Sequence, residues 1–322
     1  MDRLRIQALS CWYLTGPTAS GKTKVGINLA KRLGAEIISL DSMAIYRDMD
    51  IGTATPTKEE LGGVPIHLTD IIDPGEEYSL ARYIAAAHDK ITEIHNRGRR
   101  VLFVGGTPLY LKGMLRGIFE GPPTNKEFRT QLEQKVRDKK PEHLHKMLKK
   151  VDSASAKRLH PNDIRRIVRA LEVYELTGRP ISEFQKQFEN GVPATDCNVY
   201  VLEWPREALY ARIDKRVDRM MYDGFLDEVK RLTERKLPIS QTAHQALGYR
   251  ELLDYLDGKL KYGEAVNLIK QKTRNFAKRQ ETWFRSLSEC RFTPGDAPKF
   301  DLDPEMDGSE DDVVPSKDIE DE

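Results

Sequence analysis

The sequence predicts an α/β fold in which a doubly wound parallel sheet is interrupted by an all-helical insertion domain. Three observations lead there. First, Gly16-Pro17-Thr18-Ala19-Ser20-Gly21-Lys22-Thr23 lies between an apolar run, Cys11-Trp12-Tyr13-Leu14, and a helical pattern, Val25/Leu29/Ala30/Leu33. Strand, glycine-bracketed loop, Lys-Thr and helix in that order is the P-loop arrangement, so the expected core is P-loop NTPase-like. Second, strands alternate with helices from Trp12 to Gly117, which calls for parallel strands joined by crossover helices. Third, beyond the breaker cluster Glu120-Gly121-Pro122-Pro123-Thr124 the pattern is helical to about Phe188.

Taken in order, the P-loop helix stops at Gly34, a good C-terminal cap. Glu36-Ile37-Ile38-Ser39-Leu40 reads as a second strand running into Asp41-Ser42. In a parallel sheet that puts Asp41 at the same carboxyl edge as the P-loop. Residues Met43 to Pro56 are aperiodic and polar, a loop or short helix over that edge. Ile66 to Ile71 is a further short strand candidate. Ser79 caps a helix from Leu80 to about Arg97, ended by Gly98. Val101-Leu102-Phe103-Val104 is a buried strand leading into Gly105-Gly106-Thr107, and Pro108 opens an amphipathic helix with Leu109, Leu111 and Leu115.

The helical stretch is basic: from Lys126 to Glu175 there are fourteen Lys and Arg against eight Asp and Glu. His160-Pro161-Asn162-Asp163 starts a helix with Arg165, Arg166 and Arg169 opposite Ile167, Ala170 and Leu171. Val199-Tyr200-Val201-Leu202 then returns the chain to the sheet. The helix after Pro205 carries Arg212, Arg216 and Arg219. Gln245 to Arg250 reads as a glycine-containing turn with a basic end. A helix from about Gly263 to Leu287 mixes Lys270, Lys272, Arg274, Lys278, Arg279 and Arg285 with Phe276, Trp283 and Phe284. Four segments result: core 1–120, helical insertion 121–195, core with C-terminal helices 196–295, and an acidic tail 296–322. The tail is poor in apolar residues and is expected to be disordered.

The net charge of +1 hides an asymmetry, because residues 301–322 hold eleven Asp and Glu and one Lys. The remaining chain is left with 51 basic and 40 acidic residues, which suits a polyanionic partner or a solvated mixed surface. No run reaches the roughly 18 apolar residues that would span a bilayer, and the N-terminus has no signal-peptide core. Cys11, Cys197 and Cys290 are far apart and read as buried thiols of a reducing cytoplasm. They make no metal-ligand spacing with the seven histidines.

The chemistry follows from residue type. Gly16 and Gly21 let the backbone curl until successive N–H groups point into one hollow. The helix N-terminus adds partial positive charge. Lys22 brings a point charge to an outer phosphate, and the Thr23 hydroxyl suits Mg²⁺. Asp41 supports Mg²⁺, serves as a general base, or simply caps a helix. Thr107 is a reacting-group hydroxyl or a cap before Pro108. Arg212 and Arg216 form a charge clamp over phosphates or a wet helix face.

These motifs, with Tyr46-Arg47-Asp48-Met49-Asp50-Ile51-Gly52-Thr53-Ala54, Gly248-Tyr249-Arg250 and Lys278-Arg279-Gln280-Glu281-Thr282-Trp283, occur in one order. Over residues 10–290 the chain resembles the bacterial tRNA dimethylallyltransferase (tRNA isopentenyltransferase) family. The resemblance implies that the P-loop residues Gly16, Pro17, Thr18, Ala19, Ser20, Gly21, Lys22 and Thr23 hold the diphosphate of dimethylallyl diphosphate, helped by Mg²⁺ and an arginine clamp. The prenyl group then goes to N6 of the adenine beside the anticodon (position 37) in tRNAs reading codons that start with U. The adenine is flipped into a channel, Asp41 accepts its proton, and Thr107 orients the amine or a phosphate oxygen. By motif match Asp41, Ser42, Met43, Ala44, Thr107, Arg129, the segment Arg165, Arg166, Ile167, Val168, Arg169, and the segment Gln245, Ala246, Leu247, Gly248, Tyr249, Arg250 meet the tRNA. The helical insertion grips the anticodon stem. The chain departs from the pattern at Thr55, where the family usually has Lys, and at Pro108, where it commonly has Gly. A monomeric cytoplasmic enzyme suffices. The competing readings are a P-loop kinase using ATP and an RNA-binding module with a structural phosphate sensor.

Overall fold

The structure is a computed structural model that describes residues 3–119, 121–138, 142–185 and 191–302. The chain divides into two compact units, Met1–Leu115 with Gly191–Glu322, and Arg116–Asn190.

In chain order the elements are α1 (Arg3–Leu9), β1 (Trp12–Thr15), α2 (Lys22–Leu33), β2 (Ala35–Ser39), α3 (Asp50–Thr53), α4 (Lys58–Leu61), β3 (Ile66–His67), α5 (Leu80–Asn96), β4 (Arg100–Val104) and α6 (Pro108–Arg116). The helices α7 (Lys126–Asp138), α8 (Glu142–Val151), α9 (Ser153–Arg158), α10 (Ile164–Thr177) and α11 (Ile181–Phe184) follow. The chain continues with β5 (Asn198–Glu203), α12 (Arg206–Tyr222), α13 (Phe225–Thr233), α14 (Tyr249–Leu256), α15 (Tyr262–Arg285) and β6 (Cys290–Pro294).

Among the described residues the larger unit holds one six-stranded sheet in the order β3-β2-β4-β1-β5-β6, with every pairing parallel. Parallel strands covered on both faces read as continuous apolar runs, and all four residues of β1 are buried. One face packs under α5 and α6 through Tyr13, Ile38, Phe103, Ile91 and Leu111. The other packs under α2 through Leu14, Ile37, Leu102, Leu29 and Leu33. Each fully buried aliphatic or aromatic side chain contributes about 1.5–3 kcal/mol, so these two layers hold the carboxyl edge of the sheet rigid. Ser79 caps α5, its hydroxyl accepting from the Arg82 amide at 3.2 Å.

Several elements differ from expectation. The strand expected over 66–71 stops at His67, because Leu68 and Asp70 take φ values of 62° and 53°. That left-handed backbone cannot continue a strand. Leu109 faces outward at 47% exposure, so the core stripe of α6 is set by Tyr110, Leu111, Met114 and Leu115. α1 and β6 add to the expected elements. The tail expected to be disordered from residue 296 is built as far as Leu302. Phe300 packs edge-on to Tyr200 with ring centroids 5.1 Å apart, and Asp301 pairs with Arg291 at 2.6 Å. An aromatic ring and an ion pair outweigh the local acidic composition there. The rest of the tail lies outside the described residues.

The smaller unit is helical. Leu144, Leu148, Ile167, Val168, Leu171 and Val173 form its core. Asp152 caps α9, its carboxylate accepting from the Ser155 amide at 2.8 Å and from the Ser182 amide at 3.0 Å. Glu172 is fully buried, where Arg129 (2.7 Å) and Arg169 (2.5 Å) neutralise it. These donors outweigh the burial and hold its carboxyl below the usual range. Among the described residues no helix is long and apolar enough to cross a membrane.

Candidate active site

The P-loop joins β1 to α2. Its curl needs positive φ at Gly16 (150°), Ala19 (64°) and Gly21 (90°). Outside donors satisfy the carbonyls that the curl turns away. Arg212 Nε donates to the Ala19 oxygen at 2.8 Å, Trp204 Nε1 to the Ser20 oxygen at 3.0 Å, and Lys22 Nζ to the Pro17 oxygen at 2.7 Å. Arg212 also lies over the Trp204 ring, 4.3 Å from its centroid. Ser20 is fully buried, and its hydroxyl has no protein partner.

A cavity of about 580 Å³ opens beside this loop. Thr18, Ala19, Gly21, Lys22 and Thr23 line one side, with Asp41, Gly105, Gly106, Arg216 and Gln280. Ile27, Ile37, Leu61, Ile66, Val104 and Phe276 supply an apolar wall. Phosphate-type donors, the carboxylates of Asp41 and Glu60, and an apolar wall therefore share a single enclosure. Burial, reinforced by the charge of Arg216 and opposed by that of Asp41, brings the Lys22 amine down to about 7. Burial also lowers Arg216, and Asp41 again opposes it. Both residues are largely enclosed by protein, which is why desolvation dominates.

Asp41 sits just past β2. Its Oδ1 accepts from the Met43 amide at 2.8 Å and the Ala44 amide at 3.4 Å, which fixes the carboxylate on its turn. The neighbouring turn after β4 is held equally firmly. The Thr107 amide donates to the Leu40 oxygen at 3.1 Å, and the Thr107 hydroxyl accepts from the Ser42 amide at 3.0 Å. The close approach needs glycine at 105, where a Cβ would stand 2.3 Å from the Leu40 carbonyl. Gln280, on α15, completes the enclosure. Its Oε1 accepts from the Thr18 amide at 2.9 Å, and its Nε2 donates to the Gly106 oxygen at 2.5 Å.

The structure places the expected site residues unevenly. It brings Thr18, Ala19, Gly21, Lys22 and Thr23 of the P-loop into one cavity with Asp41 and Arg216, while Gly16, Pro17 and Ser20 do not line it. Arg212 does not line that cavity; its Nε braces the loop at the Ala19 oxygen and its guanidinium lies over the Trp204 ring. Thr107 stands next to the lining, bound to Ser42. Thr23, expected to hold Mg²⁺, is exposed on the lining at the start of α2. Of the residues expected to meet tRNA, Arg165 and Arg166 are exposed in the first turn of α10. Ile167 and Val168 are core residues of the helical unit, so their side chains are not offered to RNA. Arg129 and Arg169 are committed to Glu172. Gln245 and Arg250 are exposed and Leu247 is half-buried, but Ala246, Gly248 and Tyr249 are buried. The Tyr249 hydroxyl donates to Glu228 at 2.6 Å, and its ring packs on Phe225.

Glu228, Trp204 and Gln280 had no role assigned from the sequence. The buried Glu228 carboxylate accepts from the Ile51 amide at 2.7 Å and the Gly52 amide at 3.1 Å. It thereby anchors the segment whose Thr53, Ala54, Thr55 and Pro56 line the cavity. Glu228 and Gln280 each occupy a buried position of a mainly apolar helix stripe, which in α15 also includes Thr273. A polar residue on such a stripe is the signal that would have found them.

A family profile described as IPP transferase matches residues 44–287. The chain is 52% identical over 273 residues to the tRNA dimethylallyltransferase of Symbiobacterium thermophilum, covering 84% of this chain and 85% of that protein. It is 46% identical over 280 residues to that of Pelotomaculum thermopropionicum, covering 87% and 88%. Among solved structures it is similar to the tRNA isopentenylpyrophosphate transferase of Bacillus halodurans (TM-score 0.65, 41% identity, 92% of each chain). It is also similar to a eukaryotic dimethylallyltransferase acting on tRNA (TM-score 0.71, 29% identity, 89% of this chain and 74% of that one).

Proposed function

The chain belongs to the tRNA dimethylallyltransferase family, transferases that prenylate an adenine in tRNA, and we propose how its own residues carry out that transfer. The donor is dimethylallyl diphosphate, and the acceptor is the exocyclic N6 of the adenine next to the anticodon, in tRNAs reading codons that begin with U. One observation supports this above the others: Lys22 and Asp41 line the same cavity, one suited to a departing diphosphate and the other to an incoming amine.

The P-loop amides, Lys22 and Arg216 receive the diphosphate. As N6 attacks C1 of the prenyl group, the C1–O bond pair passes to the diphosphate, where fixed positive charge stabilises it. The nitrogen then carries an excess proton, which Asp41 accepts. Thr107, through Ser42, holds the Asp41 turn in register. The apolar wall of Ile27, Ile37 and Val104 keeps water from competing for C1.

Mg²⁺ fits the donor set, since it prefers a hydroxyl, a carboxylate and substrate phosphate oxygens to an all-protein cage. Thr23 and Asp41 supply the first two from the cavity lining. When bound, the ion would neutralise diphosphate charge. Arg165 and Arg166 are assigned to the phosphates of the anticodon stem, where contacts fix register and the base pocket specifies. A monomer is the expected state, and the cytoplasm, where tRNA is found, is the expected compartment.

The test is direct. Purified protein with Mg²⁺, radiolabelled dimethylallyl diphosphate and unmodified tRNA should place label in RNA. ATP turnover on a small acceptor without that transfer would favour a kinase. RNA binding with neither activity would leave a binding module.

A further inference from the structure

We propose that Gln280 is a positioning residue that sets the distance between the leaving-group end of the cavity and the amine-accepting end. The proposal rests on the reading above. Gln280 is 3% exposed on α15, and its single amide spans two parts of the site. The oxygen takes the Thr18 amide of the P-loop, and the nitrogen gives to the Gly106 carbonyl at the end of β4. From Gly106 the linkage continues through covalent neighbours and hydrogen bonds. Thr107 follows in the chain, its hydroxyl binds the Ser42 amide, and Ser42 adjoins Asp41. A carboxamide is the side chain whose two ends match an N–H on one side and a C=O on the other.

Space around the amide is fixed as well. A Cβ on Gly106 would stand 2.7 Å from Gln280 Nε2 and 3.4 Å from the Lys22 amine. The amide is thus wedged between loop and turn, and its loss frees the P-loop to drift relative to Asp41. Diphosphate contacts would survive that drift, because Lys22, Arg216 and the remaining loop amides are untouched. Alignment of C1 with the attacking nitrogen would not, and misplacement on the order of 1 Å costs about 10²-fold in rate.

The experiment compares wild type, Q280A and Q280E with dimethylallyl diphosphate and unmodified tRNA, measuring kcat, KM for the donor, and Tm. The expected result for Q280A is a kcat lower by about 10- to 100-fold, with donor KM changed by less than roughly threefold. Q280E supplies the diagnostic. An ionised carboxylate repels the Gly106 carbonyl, whereas the protonated acid donates to it and still accepts from Thr18. The ratio of Q280E to wild-type kcat should therefore climb as pH falls. Lys22 lines the same cavity, so donor KM is followed over the same pH range as a readout of its titration, and the kcat ratio should climb without a matching change in donor KM. Near-normal kcat in Q280A overturns the proposal. So does a fall in kcat matched by a fall in Tm in both variants, with a flat Q280E ratio. Failure of the wild type itself to transfer label would instead overturn the functional reading.

Discussion

Lys22 and Arg216 line one cavity, where burial, reinforced by the charge of Arg216 and opposed by that of Asp41, brings the lysine amine from 10.5 to about 7. The unfolded chain therefore binds more protons than the folded one between those two values. Stability from this group is lost below the folded value and regained as pH rises toward the unfolded one. A bound diphosphate reverses the shift, since an anion favours the charged amine. Calorimetric titration of inorganic diphosphate at about pH 8, in buffers of different ionisation enthalpy, should show proton uptake beyond that of the ligand's own titration. K22M should remove the excess. Equal uptake in wild type and K22M would refute the linkage.

The Asp41 carboxylate lines the cavity and accepts from the Met43 and Ala44 amides of its own turn rather than from the P-loop, so its replacement leaves the P-loop contacts in place. D41A should lower kcat by about 10²–10⁴, the worth of a general base. Donor binding in the absence of Mg²⁺, followed by competition with inorganic diphosphate, should stay near wild type, because Lys22, Arg216 and the P-loop amides are untouched.

The arginines of the helical unit separate into two roles. R165A/R166A removes exposed charges and should weaken tRNA binding, with the slope of log K against log salt shallower by about 2. Its Tm should stay at the wild-type value. R129A takes one of two cations from a fully buried carboxylate. It should cost about 1–3 kcal/mol in thermal or denaturant unfolding. A lowered Tm in the first variant, or none in the second, would contradict this division.

Glu228 anchors the segment that ends in Thr53, Ala54 and Thr55 on the cavity wall. E228A leaves the Ile51 and Gly52 amides and the Tyr249 hydroxyl without their acceptor, costing about 1–3 kcal/mol or more. Donor KM should rise with it, because one wall of the enclosure loosens. A drop in Tm with donor KM unchanged would show that the wall holds without this anchor.

The strands that frame the cavity were readable because each is a short apolar run ending in a glycine or an aspartate, as at Leu14-Thr15-Gly16, Leu40-Asp41 and Val104-Gly105. Local patterning was enough there. It was not enough for β6, whose Cys290-Arg291-Phe292-Thr293-Pro294 mixes residue types and becomes a strand by pairing with β5. Motif position did not reveal that the side chains of Ile167, Val168 and Tyr249 are buried. A contiguous motif on a helix turns only part of itself outward, and these residues fall on the inward face. Arg212 is on the helix expected to carry the clamp, and its bond to the Ala19 carbonyl, 193 residues away, was not legible in local sequence. Gln280 was visible as a letter in a motif, while its task depends on bringing together Thr18 and Gly106, which no local pattern encodes.

The docking of Phe300 and Leu302 beside Trp12 and Tyr200 bears on how the gene should be trimmed. A stop codon at the onset of acidic composition, near residue 296, would strip the cover from an aromatic pair and leave Arg291 without its carboxylate. Expression vectors that end after Leu302 keep both, and shed only the charge-dense extension that follows.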